Sequence, residues 1–314
     1  IIPNLFEAYT FTNKDITNGD NTGNFNNIGL TYDKKFKGNS DQEFYANVTW
    51  NWGHFKNNDN ETLDYFNDSI ADYYKDNKNN SHFNHLVADI HYVQPFSKTT
   101  KLEVGYNLEY DVSNDSYDYY LNHNPYVDTA TSYDFHRDGQ IHALYATFGF
   151  QLGEKLSTQL GLRGEIVTNN FSKELLTNVN TDFTKNYNSL YPTIHISYQL
   201  TKNQAFQLSY SRRVRRPDPW TMMPNIDLTN PEYVRFGNPN IDPEYTNAYE
   251  LGYSLMIKKA TIYSSLYYRA TSNEMSRFEF LWNQENCNAY GFGWAWDIAG
   301  GESNSGRTAP TDVK

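Results

Sequence analysis

Apolar and polar side chains alternate along this chain with a period of two residues, and no other pattern constrains its fold so strongly. The alternation is most regular in residues 101–111, where four charged residues, an asparagine and a glycine occupy one parity. The other parity of that segment is Leu102, Val104, Tyr106, Leu108 and Tyr110. Successive side chains of a β-strand point to opposite faces, so these apolar groups share one face. The pattern recurs at residues 43–53, 142–152, 159–166, 193–200, 206–210, 249–257 and 262–268. The chain is therefore predicted to be all-β.

The connections between these strands alternate between short and long. The short ones are 38–42, 94–100, 153–156, 201–204 and 258–259, and the long ones are 54–82, 112–139, 168–190 and 213–247. In an up-and-down meander all short turns then lie at one end and all long loops at the other. This asymmetry is typical of bacterial outer-membrane barrels, whose periplasmic turns are short and whose extracellular loops are long. Strands of about 10 residues match a tilted membrane-spanning strand. The sequence predicts an antiparallel up-and-down transmembrane β-barrel, with a soluble β-sheet as the alternative.

Composition and charge exclude several other classes of protein. The chain has 26 Lys and Arg against 37 Asp and Glu, and its net charge of −11 argues against nucleic acid as a partner, because duplex binding needs a basic face. The lone Cys287 cannot form an internal disulfide or a zinc cluster. No transmembrane helix and no signal peptide are predicted. The chain starts without Met inside an alternating segment, so we expect it to be cut from a longer protein.

Three ordered motifs carry a family resemblance. Residues 208–217 read Leu-Ser-Tyr-Ser-Arg-Arg-Val-Arg-Arg-Pro, residues 236–245 read Phe-Gly-Asn-Pro-Asn-Ile-Asp-Pro-Glu-Tyr, and residues 247–253 read Asn-Ala-Tyr-Glu-Leu-Gly-Tyr. Together they resemble the barrel of TonB-dependent outer-membrane receptors of the Bacteroidota type, although Ile241 stands where that family usually has Leu. The resemblance implies a barrel of about 22 strands with a plugged lumen. About twelve of these strands are expected here.

The resemblance also sets expectations for domains and partners. Residues 1–298 are expected to be an incomplete barrel segment, and residues 299–314 a polar tail outside the barrel. The plug domain and the N-terminal region that engages TonB are expected to be missing from this chain. The remaining partners are outer-membrane lipid and a small nutrient ligand, and the location is the Gram-negative outer membrane.

The function implied by the resemblance is uptake of a scarce nutrient by TonB-dependent active transport. The alternatives are a porin-like passive channel and an outer-membrane hydrolase with a Ser–His pair at the barrel rim. His142 lies on the apolar parity near the outer rim, as a lipid-facing catalytic histidine would. However, no serine of matching parity can be paired with it from the sequence. We therefore expect no enzymatic activity and no cofactor.

Candidate ligand contacts are concentrated at the start of the segment 213–247. A cluster of arginines there is the strongest positive charge in an acidic chain, and guanidinium groups bind carboxylates and phosphates bidentately. The alternative is that these side chains form ion pairs with the plug or the barrel wall. Prolines stiffen the backbone of this loop by fixing φ. Its aromatic side chains add a flat apolar surface beside the charge. The predicted contacts are Arg212, Arg215, Arg216, Trp220, Tyr233 and Arg235. No metal site is expected, because His82 and His85 have no third ligand at suitable spacing.

Parity also assigns the two faces of the barrel wall. The predicted lipid-facing side chains are Val48, Leu102, Val104, Phe148, Leu160, Ile196, Leu208 and Leu251. The predicted lumen side chains are Asn107, Glu109, Arg163, Glu165 and Glu250.

Overall fold

The structure, a computed structural model, describes residues 13–37, 39–65, 72–177, 180–223, 226–227, 234–289 and 308–313. Its elements follow one another as β1 (Asn13–Phe36), β2 (Asn39–Tyr65), β3 (Tyr73–Ser97), β4 (Thr100–Leu121), β5 (Tyr133–Leu152), β6 (Leu156–Leu175), β7 (Asn180–Thr201), β8 (Gln204–Arg215), α1 (Pro219–Met222), β9 (Ile226–Asp227), β10 (Arg235–Phe236), β11 (Glu244–Ile257), β12 (Ala260–Ser272), β13 (Ser276–Leu281), α2 (Gln284–Ala289) and β14 (Thr308–Val313). Among the described residues, no helix is long and apolar enough to cross a membrane.

Ten of these strands form one antiparallel sheet in the order β1-β2-β3-β4-β5-β6-β7-β8-β11-β12. Each of the eight strands between β1 and β12 in this sheet pairs with the long strand before it and the long strand after it, which confirms the predicted up-and-down topology. Within the described ranges the sheet is open, because β1 and β12 each pair with one neighbour. The four short strands form two separate pairs, β9 with β10 and β13 with β14. The sheet thus contributes ten strands, where the sequence predicted about twelve.

The sheet has two chemically different faces. We call the face with exposed apolar side chains the outer face; Val48, Val104, Phe148, Leu160, Leu208 and Leu251 lie on it, each more than a third exposed. Leu102 and Ile196 share its parity and are half-buried. The opposite, inner face carries the buried Asn107 and Glu165. Since the side-chain period is two, a shift of one residue in any strand would exchange the two sets.

The strands are longer than the sequence predicted. β2 has 27 residues, β3 has 25 and β4 has 22, so the expected loops at 54–82, 112–139 and 168–190 are mostly strand and that prediction was wrong. Apolar alternation is needed only where one face meets lipid, whereas backbone pairing continues into water. Amide side chains support these extensions, as where Asn170 Nδ2 donates to Asp138 Oδ1 at 3.0 Å. We call this end of the sheet the loop end, and the opposite end the turn end.

Candidate functional site

The described residues of the segment between β8 and β11 (216–223, 226–227 and 234–243) fold onto the inner face near the loop end. Asp218 caps α1 by accepting a hydrogen bond from the Trp220 backbone N–H at 2.9 Å, and Pro219 occupies the first helical turn. Met222 at the end of the helix and Met223 directly after it are buried in a cluster with four aromatic side chains of the inner face. These are Tyr119, Tyr133, Phe135 and Phe171. Full burial of each Met stabilises the packed segment by about 1.5–3 kcal/mol.

A network of charges fixes the beginning of this segment to the wall. Glu165 on β6 is 5% exposed and accepts from Arg163 Nε at 2.7 Å and from Arg216 Nη2. Arg163 also donates to Asn107 Oδ1 at 3.2 Å. A buried carboxylate is tolerated when it is paired and hydrogen-bonded, and here two guanidinium groups share that task. Burial is the largest single influence on the pKa of Arg216 and lowers it, but Glu165 together with Tyr187 and Tyr191 outweighs burial, so the pKa of this loop guanidinium is raised.

The end of the segment is fixed by the motif that contains Gly237. A Cβ atom on Gly237 would overlap the Met223 carbonyl oxygen, so the close approach of these two backbones needs glycine. The Asn238 N–H donates to the Thr221 carbonyl at 2.7 Å, which ties the motif to α1. Four residues on, Ile241 is 1% exposed.

A second ion pair follows this motif. Lys185 Nζ on β7 lies 2.7 Å from Asp242 Oδ1. Two ion pairs and an apolar cluster therefore hold the segment against β4–β7. Between it and the wall is a small cavity of about 140 Å³, lined by Arg137, Arg216 and other polar and apolar side chains.

Three predicted contact residues lie along the start of this segment. Arg216 forms an ion pair with Glu165. Arg215, the last residue of β8, is 66% exposed, and its Nη1 lies 3.4 Å from Glu244 Oε2. Trp220 is 44% exposed and packs against two inner-face rings, with centroid distances of 5.8 Å to Tyr117 and 5.1 Å to Phe135. Trp220 and Arg215 therefore present a flat apolar surface and an exposed cation to the solvent.

The other three predicted contact residues are not placed beside Trp220 and Arg215. Arg212 lies on the outer face of β8, where its guanidinium is 4.6 Å from the Tyr245 ring centroid. Arg235 is exposed in β10, opposite Asp227. Tyr233 lies outside the described residues. Strand alternation is the reason that Arg212 is separated from Arg215, because they have opposite parity.

Sequence reasoning placed Glu165 on the inner face but missed its part in anchoring the segment. It also missed Lys185, Met222 and Met223. Parity was the available signal for Glu165, and nothing local indicated which cation would reach it.

Among the described residues, no group of three or more His, Cys, Asp or Glu is placed to hold a metal ion. His142 Nδ1 lies 2.6 Å from the Tyr106 hydroxyl and its Nε2 lies 3.4 Å from Gln140 Oε1.

Long antiparallel strands, an exposed apolar outer face and a charged inner face together define a membrane β-barrel wall. A sequence model of the Outer membrane protein beta-barrel family matches residues 34–290, and the chain belongs to this family. This match confirms the predicted resemblance and the location in the Gram-negative outer membrane. No curated protein matches the chain.

Several solved structures are similar to this chain. The ferric-catecholate import receptor Fiu from Escherichia coli K12, in its closed form, has a TM-score of 0.51 at 12% identity, covering 81% of this chain and 42% of that one. The ferric citrate transporter FecA has a TM-score of 0.49 at 14% identity, covering 78% and 34%. The ferric yersiniabactin uptake receptor FyuA from Yersinia pestis has a TM-score of 0.47 at 12% identity, covering 82% and 48%. This chain spans less than half the length of each of these three proteins.

Proposed function

We propose that this chain is the barrel wall of an outer-membrane receptor that takes up a scarce nutrient by TonB-dependent active transport. The observation that carries the proposal is the inward position of the described residues between β8 and β11. The Arg216–Glu165 and Lys185–Asp242 ion pairs hold this segment on the inner face. A porin-like passive channel needs an open lumen, whereas a receptor binds its cargo at a narrowed mouth and needs energy to pass it onward.

The exposed surface of this segment suits a cargo that is both flat and anionic. Trp220 offers a ring backed by Tyr117 and Phe135, and Arg215 offers a largely exposed guanidinium. Because the segment is already fixed, little conformational entropy is lost when a ligand binds to it. A ferric catecholate complex is the first cargo to test, since it combines aromatic rings with negative charge. A receptor of this kind also needs a plug domain, and it receives energy from the partner protein TonB.

Uptake measurements in cells test the mode of transport. The full-length protein would be expressed in a host whose own outer membrane does not let ferric catecholate pass. Two strains of this host, one with and one without a functional TonB, would be compared for accumulation of labelled ferric catecholate. We expect accumulation only in the TonB-positive cells. Equal uptake in both strains would instead establish a passive channel.

Matched variants test the binding surface. Trp220→Ala should weaken cargo binding about tenfold, the effect of losing one well-packed aromatic contact. Tyr126→Ala, at an aromatic residue that is 78% exposed in the β4–β5 connection, is the control and should leave affinity unchanged. Unchanged affinity in Trp220→Ala and Arg215→Ala, with lower thermal stability, would leave these residues only a role in bracing the wall.

A further inference from the structure

Strands β7 and β8 pair along only part of their length. Their hydrogen-bonded register runs from Thr201 and Gln204 at the turn end to Thr193 and Ser211, and ends there. Both strands continue toward the loop end, β7 back to Asn180 and β8 on to Arg215. On its other side β8 stays paired with β11 as far as Arg215. The wall therefore has a split between β7 and β8 above Thr193.

Side chains of β8 and β11 occupy this split. The Tyr245 hydroxyl lies 2.6 Å from Ser189 Oγ on β7, which bridges the two edges. The Arg212 guanidinium stacks on the Tyr245 ring at 4.6 Å. Its Nε is buried, and among the described residues it has no hydrogen-bond acceptor and no acidic ion-pair partner. Glu165 also lines the pocket beside this split, but its charge is already paired with Arg163 and Arg216. Arg212 therefore retains an uncompensated positive charge and an unused N–H donor.

An open pocket of about 920 Å³ lies beside this charge, and its lining has two chemically distinct parts. One part is apolar and outward-facing: Leu144, Ile166 and Leu190 are 69%, 58% and 57% exposed. The other part, at the loop-end side, is polar and includes Arg212. On β7 the outer face changes from Leu190 to Asn188 at this level. The pocket therefore spans the boundary between the apolar band and the polar headgroup level of the membrane.

We propose that this pocket is a binding site for a membrane lipid with an anionic phosphate headgroup. The Arg212 guanidinium pairs with the phosphate, because its planar fork donates two parallel hydrogen bonds to phosphate oxygens. The acyl chain lies along Leu144, Ile166 and Leu190. The bound lipid seals the split in the wall and has no part in nutrient uptake.

Native mass spectrometry of the full-length protein, released from detergent micelles, measures lipid retention directly. Phosphatidylglycerol should be retained, whereas diacylglycerol, which has the same chains without phosphate, should not. Arg212→Met keeps most of the side-chain volume but loses the charge, and should reduce phosphatidylglycerol retention about tenfold, as expected for the loss of a charge-assisted hydrogen bond. Arg215→Met is the matched control, because Arg215 has the opposite parity on the same strand and is 66% exposed. This variant should retain as much phosphatidylglycerol as the wild type.

Two further measurements keep the test decisive. Arg212→Lys retains the charge but not the fork and should give intermediate retention, which separates lipid binding from misfolding of the Met variant. Leu190→Ser should weaken retention of the lipid while leaving any binding of inorganic phosphate unchanged. Equal retention in wild type and Arg212→Met, or equal retention of diacylglycerol and phosphatidylglycerol, would overturn the proposal. Binding of inorganic phosphate as tight as that of the lipid would also overturn it, because the apolar part of the pocket would then contribute nothing.

Discussion

Neutralising Glu165 should release the inward segment from the barrel wall. Glu165→Gln keeps the shape of the side chain but removes the charge that Arg163 and Arg216 share, and it places an amide N–H₂ toward one guanidinium. Removing one partner of a buried ion pair costs about 3–5 kcal/mol. Both guanidinium side chains are 32% exposed, so water compensates part of the loss. We expect the free energy of unfolding to fall by about 2–3 kcal/mol.

Urea unfolding of the full-length protein in micelles, followed by tryptophan fluorescence, measures this change. The midpoint should fall without a change in the slope, because the variant alters stability and not the surface exposed on unfolding. Limited proteolysis should also cut residues 216–243 faster, since their local opening becomes easier. Glu174→Gln is the control: Glu174 lies on the same strand, but it is exposed.

A double-mutant cycle completes the test. If Glu165 acts through Arg216, then Glu165→Gln and Arg216→Met should together cost clearly less than the sum of the single changes. Additive effects, or a shift in Glu165→Gln no larger than that in Glu174→Gln, would refute the anchoring role of the carboxylate.

Three further predictions address the membrane face, the cysteine and the absence of catalysis. Leu162→Arg, at an outer-face position that is 51% exposed, should lower the free energy of unfolding in phospholipid vesicles by about 2–4 kcal/mol. Asn170→Arg, farther along the same face of β6 toward the loop end, should change this free energy little. Equal costs for the two variants would contradict the face assignment. Burial raises the pKa of the Cys287 thiol, so the reactive thiolate is scarcer in the folded protein than in the unfolded one, and Ellman's reagent at mildly alkaline pH should react more slowly than after urea unfolding. A serine-reactive fluorophosphonate probe should not label the protein; labelling that disappears in His142→Ala would show that the hydrolase alternative is correct.

The sequence by itself determined the class of fold and the chemistry of its two faces. Because side chains alternate strictly along a strand, the parity of Leu208 and Leu251 was enough to place both on the outer face, where the register also pairs them. The motifs around Gly237 and Arg216 were enough to indicate the family. What the sequence did not reveal was where the strands end, since outside the membrane both faces meet water and alternation no longer marks the strand.

Only the tertiary structure decided which charges meet. Arg216 and Glu165 are 51 residues apart, and their contact depends on how the segment between β8 and β11 folds back over the inner face. Of the four neighbouring arginines, Arg216 anchors that segment and Arg212 lies at a split in the wall, whereas Arg213 and Arg215 are exposed. These fates depend on strand pairing and its interruption. Pairing between distant segments is a property of the whole sheet, whereas parity is a property of each strand alone.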